Sequence, residues 1–140
     1  MIDTNLVVGI CLLLPLLGAF LVLTFGSRPN VRETSTLLIG GLTFWHVWGL
    51  LHHVREGVRP RLELLEIVPG VQLAFEVEPL GLLFALVASF LWIVTTLYAI
   101  GYMRAHHEEN QTRFFFFFAI AIAGAMGVAF SANLFTLFAF

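Results

Sequence analysis

The sequence predicts an all-α membrane protein with four transmembrane helices, the start of a fifth, and an outer-face β-hairpin between helices two and three. Three observations lead to this prediction. Hydrophobic residues make up 59% of the 140 residues and charged residues only 11%, whereas a soluble domain of this size carries far more polar surface. The charged residues are separated by long apolar runs, and one loop shows the alternation typical of β-strands.

Four long stretches of the chain contain neither an acid nor a base. They comprise 24, 21, 25 and 27 residues, and each is long enough to cross about 30 Å of hydrocarbon at about 1.5 Å per helical residue. Because backbone amides in lipid must be hydrogen-bonded within their own segment, we expect helices rather than strands. The predicted spans are residues 6–26, 34–54, 79–103 and 114–131.

The long loop between the second and third spans is predicted to form the hairpin. In residues 71–77 the larger apolar side chains occupy every second position, which is strand periodicity. Pro69 and Gly70 precede this segment and suit the centre of a type II turn, with Leu62 and Leu64 in the opposite arm. A lone hairpin is marginally stable in water, so we expect this one to lie against another structure.

The fourth span carries small residues at every fourth position on one face, which favours close helix packing in lipid. These residues are Ala119, Ala123, Gly127 and Ser131. Beyond them, residues 134–140 begin another apolar run that is too short to cross a bilayer. We therefore expect residues 1–140 to be the N-terminal transmembrane portion of a longer protein.

The arginine residues predict how the chain is oriented. Four of the seven arginines lie in the two short loops and three in the long loop, and the chain contains no lysine. Since cationic residues concentrate in cytoplasmic loops, we expect the short loops inside and the N-terminus outside.

Composition excludes several kinds of chemistry. Without lysine the chain has no phosphate-loop lysine, no Schiff-base lysine and no lysine-rich nucleic-acid face. Its single cysteine, Cys11, permits no internal disulfide, redox pair or four-thiolate iron–sulfur site. The first, third and fourth spans lack histidine, which argues against a bis-histidine haem. We predict no catalytic residues, cofactor, metal site or nucleic-acid partner in this chain.

Four separate segments are recognisable in order along the chain: residues 75–84, residues 97–103, the segment from 113–115 into the small-residue helix, and residues 132–138. They resemble the start of the third helix, its end, the fourth helix and the start of the fifth in one known family: the antiporter-like, proton-conducting membrane subunits of bacterial respiratory complex I, Mrp-type sodium/proton antiporters and membrane-bound hydrogenases. The resemblance covers about residues 70–140, and residues 1–70 share only the layout of two helices and an outer hairpin.

The resemblance implies proton or sodium translocation through buried charged groups along the middle of the membrane, together with other membrane subunits of a multi-subunit complex. It implies a multi-pass protein of the bacterial inner (cytoplasmic) membrane with its N-terminus outside, in agreement with the arginine distribution. The family's glutamate in the fifth helix would fall just beyond Phe140, and its lysine in the seventh helix farther on. The usual acid before the third helix is an aspartate followed by a small residue, and Glu78-Pro79 stands here.

Two residues are candidates for the ion pathway. Glu78 precedes the third helix on the outer side, where an ion-uptake group is one interpretation and a helix cap the other, because a helix N-terminus favours an anion. His46 lies near the middle of the second span, and an ionisable residue at that depth is a functional hypothesis by default. The resemblance gives His46 no role, and a neutral imidazole bonded to a neighbouring helix is the alternative.

We therefore predict the N-terminal part of a proton-translocating or sodium/proton-antiporting membrane subunit in a complex I-like (NADH-quinone oxidoreductase) or Mrp-type complex. Its partners would be other membrane subunits, the lipid bilayer, and protons or sodium ions, and any redox chemistry would belong to other subunits. One alternative is a non-transporting helical scaffold or assembly subunit of such a complex. Another is an unrelated four-helix membrane protein.

Overall fold

The computed structural model describes residues 3–140. These residues are mostly helical (73%), and a two-stranded antiparallel hairpin lies between the second and third helices, which confirms that part of the predicted fold. The elements are α1 (Thr4–Thr24), α2 (Pro29–Arg55), β1 (Arg61–Val68), β2 (Val71–Glu76), α3 (Pro79–His106), α4 (Gln111–Ala129) and α5 (Leu134–Ala139).

Within residues 3–140, three helices are long and apolar enough to cross a membrane: α1, α3 and α4. The fourth predicted span corresponds to α2, which has 27 residues. Its sequence is less apolar than that of the other three because it includes Arg32, Glu33 and His46. Length and composition thus confirm three of the four predicted spans.

The four long helices run alternately up and down. Helix α1 packs against α2 and α4, and α3 packs against the same two helices. The α1–α2 and α3–α4 connections lie together at one end of the bundle, which we call the short-loop face; there Thr112 of α4 bonds to Gly26 beyond α1. The hairpin lies at the opposite end, the hairpin face, where Arg61 of β1 bonds to Asn5 of α1.

Small side chains allow the helices to approach closely in the centre of the bundle. Ala119, Ala123 and Gly127 of the predicted small-residue face are buried, so that face packs inside the bundle. The indole of Trp92 is also buried and lies between the glycines of two neighbouring helices. A Cβ atom added at Gly18 or Gly40 would lie 3.6 Å or 3.8 Å from this ring.

The outward faces of the helices are strongly apolar. Large exposed side chains include Leu13 of α1, Trp45 of α2, Leu80 and Tyr98 of α3, and Phe117 of α4. An exposed apolar surface of this extent marks contact with lipid or with other protein.

The hairpin turns at Pro69 and Gly70, as predicted, and Gly70 has the positive φ (+90°) that the third position of a type II turn requires. The free edge of β2 is covered by the segment that follows α4. Glu76 N donates to Phe130 O (2.7 Å), and Ala132 N donates to Ala74 O (3.0 Å). The support that we expected for the hairpin therefore comes from the chain itself.

The apolar run after α4 forms the short helix α5, which is also joined to β2. Asn133 caps α5 through its side-chain oxygen, which accepts from Thr136 N (2.8 Å). The Asn133 amide donates to Gln72 O (2.7 Å), and Thr136 Oγ1 accepts from the buried Ala74 N (3.1 Å). Helix α5 thus fixes the hairpin to the end of the bundle.

One predicted boundary was wrong by five residues. We expected the second helix to begin at residue 34, but α2 begins at Pro29. Proline is well tolerated in the first turn of a helix, where its missing N–H has no partner to lose. Arg32 and Glu33 therefore belong to the helix rather than to the loop.

Candidate functional site

Glu78 is the N-cap residue of α3, at the hairpin face. Its carbonyl oxygen accepts from Leu82 N (2.8 Å), but within residues 3–140 its carboxylate forms no capping hydrogen bond. The exposed carboxylate lies 3.9 Å from Arg59 Nη1 and borders a cavity of about 450 Å³ that Glu76 and Ser131 also line. The Glu78 side chain is 63% exposed, so its carboxylate is accessible to water and ions, and a solvated ion pair of this kind contributes little to stability.

His46 lies in the middle of α2 and is half-buried as a residue. Its Nδ1 atom is 2.7 Å from Leu42 O, one turn earlier. Because a carbonyl oxygen only accepts, Nδ1 carries the proton in this contact. The hydrogen bond thus lies within α2 itself, and not to a neighbouring helix as the alternative interpretation supposed. The flanking Trp45 and Trp48 are exposed on the outer side of the bundle.

The two candidate residues lie at different depths. His46 lies nine positions before Arg55, the last residue of α2 at the hairpin face, which is about 13.5 Å along the axis at about 1.5 Å per residue. Glu78 lies at that face itself, at the start of α3. The fold therefore gives each residue a separate environment and does not join them into one site.

A third charged group, which we did not predict as a site, lies at the short-loop face. Arg32 is only 3% exposed, and its guanidinium is bound from α4: Nη1 donates to Thr112 Oγ1 (2.9 Å), and Nη2 donates to Gln111 Oε1 (3.1 Å). Its Cζ atom also lies 5.2 Å from the centre of the Phe115 ring, within the range of a cation–π interaction.

Glu33 completes this group, which we call the arginine cluster (Arg32, Glu33 and Arg104). Glu33 is 4% exposed. Its Oε1 atom accepts from Arg32 Nη2 and from Arg104 Nε, both at 3.3 Å, and its Oε2 atom accepts from Arg104 Nη2. Arg104 Nη2 also donates to Asn30 Oδ1 (2.6 Å). Two guanidinium groups thus share one buried carboxylate.

A sequence signal for the cluster exists, but it requires the correct helix start. Once α2 begins at Pro29, Arg32 and Glu33 fall on its buried stripe. They lie four and three residues before Thr36, and eight and seven residues before Gly40, respectively. A charged pair on an otherwise inward-facing stripe predicts burial with partners, because an unpaired charge is too costly to bury. The partners from α3 and α4 could not be read from this pattern.

The cluster is poorly suited to a metal ion. Its one carboxylate, Glu33, is already engaged by two guanidinium groups, which are donors only and repel cations. No group of three or more His, Cys, Asp or Glu side chains that could hold a metal ion occurs in the described part of the chain, residues 3–140.

Residues 69–115 match the protein family described as NADH-ubiquinone oxidoreductase (complex I), chain 5 N-terminus. The match runs from the hairpin turn through α3 into the start of α4, so it includes Glu78 and Arg104. For residues 69–115, it confirms the resemblance to the antiporter-like, proton-conducting membrane subunits. Among curated proteins, none matches the chain significantly.

Proposed function

We propose that this chain is the N-terminal part of a proton-translocating, antiporter-like membrane subunit within a complex of the complex I or Mrp type. The observation that carries this proposal is the match of residues 69–115. That single segment contains the hairpin turn, the acidic N-cap Glu78, the whole of α3 and the start of α4. The family supports a multi-pass membrane protein with other membrane subunits as partners.

We propose α2 as the fourth span. It is nearly as long as α3, with 27 residues against 28. Like α3, it runs between the short-loop face and the hairpin face of the bundle. Leu38, Leu42 and Trp45 are exposed along it, as expected of a surface in lipid. Its charged residues Arg32 and Glu33 lie near the short-loop face and are paired, which offsets part of the cost of placing them there.

The proposed orientation places the short-loop face in the cytoplasm of a bacterium and the N-terminus outside. The short-loop face carries four arginines and three glutamates, and the hairpin face carries three arginines and six acids. Short loops with an excess of cations tend to stay on the cytoplasmic side of the membrane. The difference in acids also makes the hairpin face the more negative of the two.

The proposed role of the bundle is to support and seal an ion pathway carried by other helices. Residues 79–103, which form most of α3, contain no acid, base or histidine, so this part of the helix offers no side chain that exchanges a proton near neutral pH. Its outward face, with Leu80, Phe84 and Leu91 exposed, suits packing against further membrane helices. Such packing would keep water and ions from leaking between the helices that surround the pathway.

Glu78 is proposed as an ion-uptake group at the outer face, and His46 as a secondary proton-exchanging group. The exposed Glu78 carboxylate and the adjoining cavity support the first role. For His46, the support is an ionisable ring in the middle of a proposed span, whose Nδ1–H is already engaged with Leu42 O. Exchange would therefore proceed through Nε2.

The proposal is tested with the complex that contains this chain, purified and reconstituted into vesicles with a pH-sensitive dye. We expect Glu78→Gln to lower proton flux severalfold without lowering the amount of assembled complex, and His46→Leu to lower it less. Glu66→Gln, an exposed acid at the same face, is the matched control and should leave flux unchanged. Unaltered flux in Glu78→Gln would contradict the role of Glu78, and robust flux through the chain alone would contradict the sealing role.

The alternative is a non-transporting scaffold that assembles such a complex. It is favoured by the absence of any acid or base between Glu78 and Arg104, since a scaffold needs no such group. The two functions differ in one ratio, the proton flux per assembled complex. Destabilising variants of a scaffold would reduce assembly and leave this ratio constant, whereas variants of a pathway component would change the ratio itself.

A further inference from the structure

A cavity of about 370 Å³ opens at the short-loop face beside the arginine cluster. It lies at the end of the three candidate membrane spans, where α3 ends and α4 begins, and thus at the expected depth of lipid headgroups. Its lining residues come from three segments: Pro29 and Asn30 of α2, Arg104 and His107 at the end of α3, and Gln111 of α4.

The charge of the cluster next to this cavity is positive. Arg32 and Arg104 share the single carboxylate of Glu33, so one positive charge is left without a counter-ion in the group. The side chain of Arg104 is 49% exposed, and its Nη1 atom has no hydrogen-bond partner among residues 3–140. Arg104 can therefore offer two further N–H groups to a ligand in the cavity.

Two helix N-termini reinforce this potential. Helix α2 begins at Pro29 and α4 begins at Gln111, and both residues line the cavity. The positive ends of these two helix dipoles favour an anion at this position, while the negative end of α3, whose last turn also lines the cavity, opposes one of them. Asn30 adds a side-chain amide, whereas the Nε2 atom of Gln111 already donates to Met103 O and Glu108 O. The acids of the adjacent loop, Glu108 and Glu109, do not contribute side chains to the lining.

We propose that this cavity binds the phosphate of an anionic phospholipid headgroup. A phosphate offers several oxygens to the free N–H groups of Arg104, and guanidinium–phosphate contacts are among the strongest charge-assisted hydrogen bonds. Lipid rather than free phosphate is inferred because exposed apolar side chains surround the same end of the bundle, on α1 (Leu23), α2 (Val31) and α4 (Phe114). Acyl chains attached to the bound phosphate would lie along these surfaces.

This inference rests on the membrane location of the helices and is independent of ion translocation. It is tested by native mass spectrometry of the full chain in detergent, titrated with phosphatidylglycerol or with phosphatidylcholine of the same acyl chains. We expect preferential retention of phosphatidylglycerol. Equal retention of the two lipids would overturn the proposal.

A matched pair of variants locates the site. His107→Glu places a carboxylate in the cavity lining and leaves the arginine cluster intact, so we expect the apparent affinity for phosphatidylglycerol to fall about fivefold through charge repulsion. His106→Glu makes the same change one residue earlier, outside the lining, where the ring stacks on Tyr102. The affinity of His106→Glu for phosphatidylglycerol should stay within about twofold of that of the parent chain. An equal loss of affinity in both variants would overturn the proposal.

A second pair tests Arg104 directly. Arg104→Gln removes the free N–H groups while Glu33 keeps its ion pair with Arg32, so that no buried charge is left unpaired, and should lower the affinity about tenfold. Arg113→Gln removes an exposed arginine of the same face that does not line the cavity and should have little effect. Inorganic phosphate at millimolar concentration should not displace the lipid; displacement would assign the cavity to a soluble anion instead.

Discussion

Arg104, near the end of α3, holds the carboxylate of Glu33, near the start of α2, through both its Nε and Nη2 atoms. The two residues are 71 positions apart in the chain, so this contact joins helices that the hairpin separates in sequence. Glu33 also accepts from Arg32, which reaches across to α4. The short-loop face is thus fixed by one charged group that connects three helices.

Replacing Glu33 with alanine should destabilise the bundle. Arg32 would remain buried beside Arg104 without a carboxylate, and breaking a buried ion pair from one side costs about 3–5 kcal/mol. Because Arg104 is half-exposed, we expect a value near the lower limit, about 3 kcal/mol. The free energy of unfolding in detergent micelles measures it.

The exposed Glu109 provides the control for this variant. Glu109→Ala makes the same change at the same face, and surface substitutions of this kind usually change stability by less than about 0.5 kcal/mol. If the two variants had the same free energy of unfolding, the arginine cluster would have no stabilising role.

Replacing Gly81 with alanine should also destabilise the protein, through backbone crowding. A Cβ atom at this position would overlap the carbonyl oxygen of Ala129, at the end of α4. Since a backbone atom cannot rotate away as a side chain does, the start of α3 must shift, and overpacking of this kind costs about 1–3 kcal/mol. The same unfolding measurement applies.

Gly101, on the same helix, is the matched control, because a Cβ atom there would meet open space. Gly101→Ala should stabilise α3 by up to about 1 kcal/mol through helix propensity alone. A stabilising effect of Gly81→Ala as large as that of Gly101→Ala would show that the close approach of α3 to α4 does not occur.

Replacing Thr136 with valine should loosen the hairpin. The Thr136 hydroxyl accepts from the buried amide of Ala74, and an unsatisfied buried amide costs about 1–3 kcal/mol. We expect the Ala74 amide to exchange its hydrogen for deuterium faster, together with the rest of β2. Thr24→Val, at an exposed position of α1, should leave this exchange unchanged, and unaltered exchange in Thr136→Val would rule out docking of the hairpin through α5.

The helices could be predicted from the sequence because lipid imposes a simple rule, that charges stay outside the spans. The third helix starts at Pro79 as predicted and ends only a few residues later than expected, at His106. The hairpin followed from the alternation in residues 71–77 and from Pro69-Gly70. Each of these features depends on residues that are neighbours in the chain.

The arginine cluster and the docking of the hairpin could not be predicted in the same way. The pairing of Glu33 with Arg104, and of β2 with the segment after α4, joins residues about 55 to 70 positions apart, and spacing along one sequence does not specify such pairs. The rule that charges lie in loops was also misleading for Arg32. A buried charge near the end of a span is acceptable once partners surround it.

The four-span arrangement is tested most directly by determining on which side of the membrane three loops lie. In a Cys11→Ser background, single cysteines at Arg28, Glu66 and Glu109 are treated with a membrane-impermeant maleimide in intact cells and in inverted vesicles. We expect labelling of the Glu66 position from outside and of the Arg28 and Glu109 positions from the cytoplasmic side. Labelling of the Arg28 and Glu66 positions from the same side would show that α2 does not cross the membrane and would contradict the four-span arrangement.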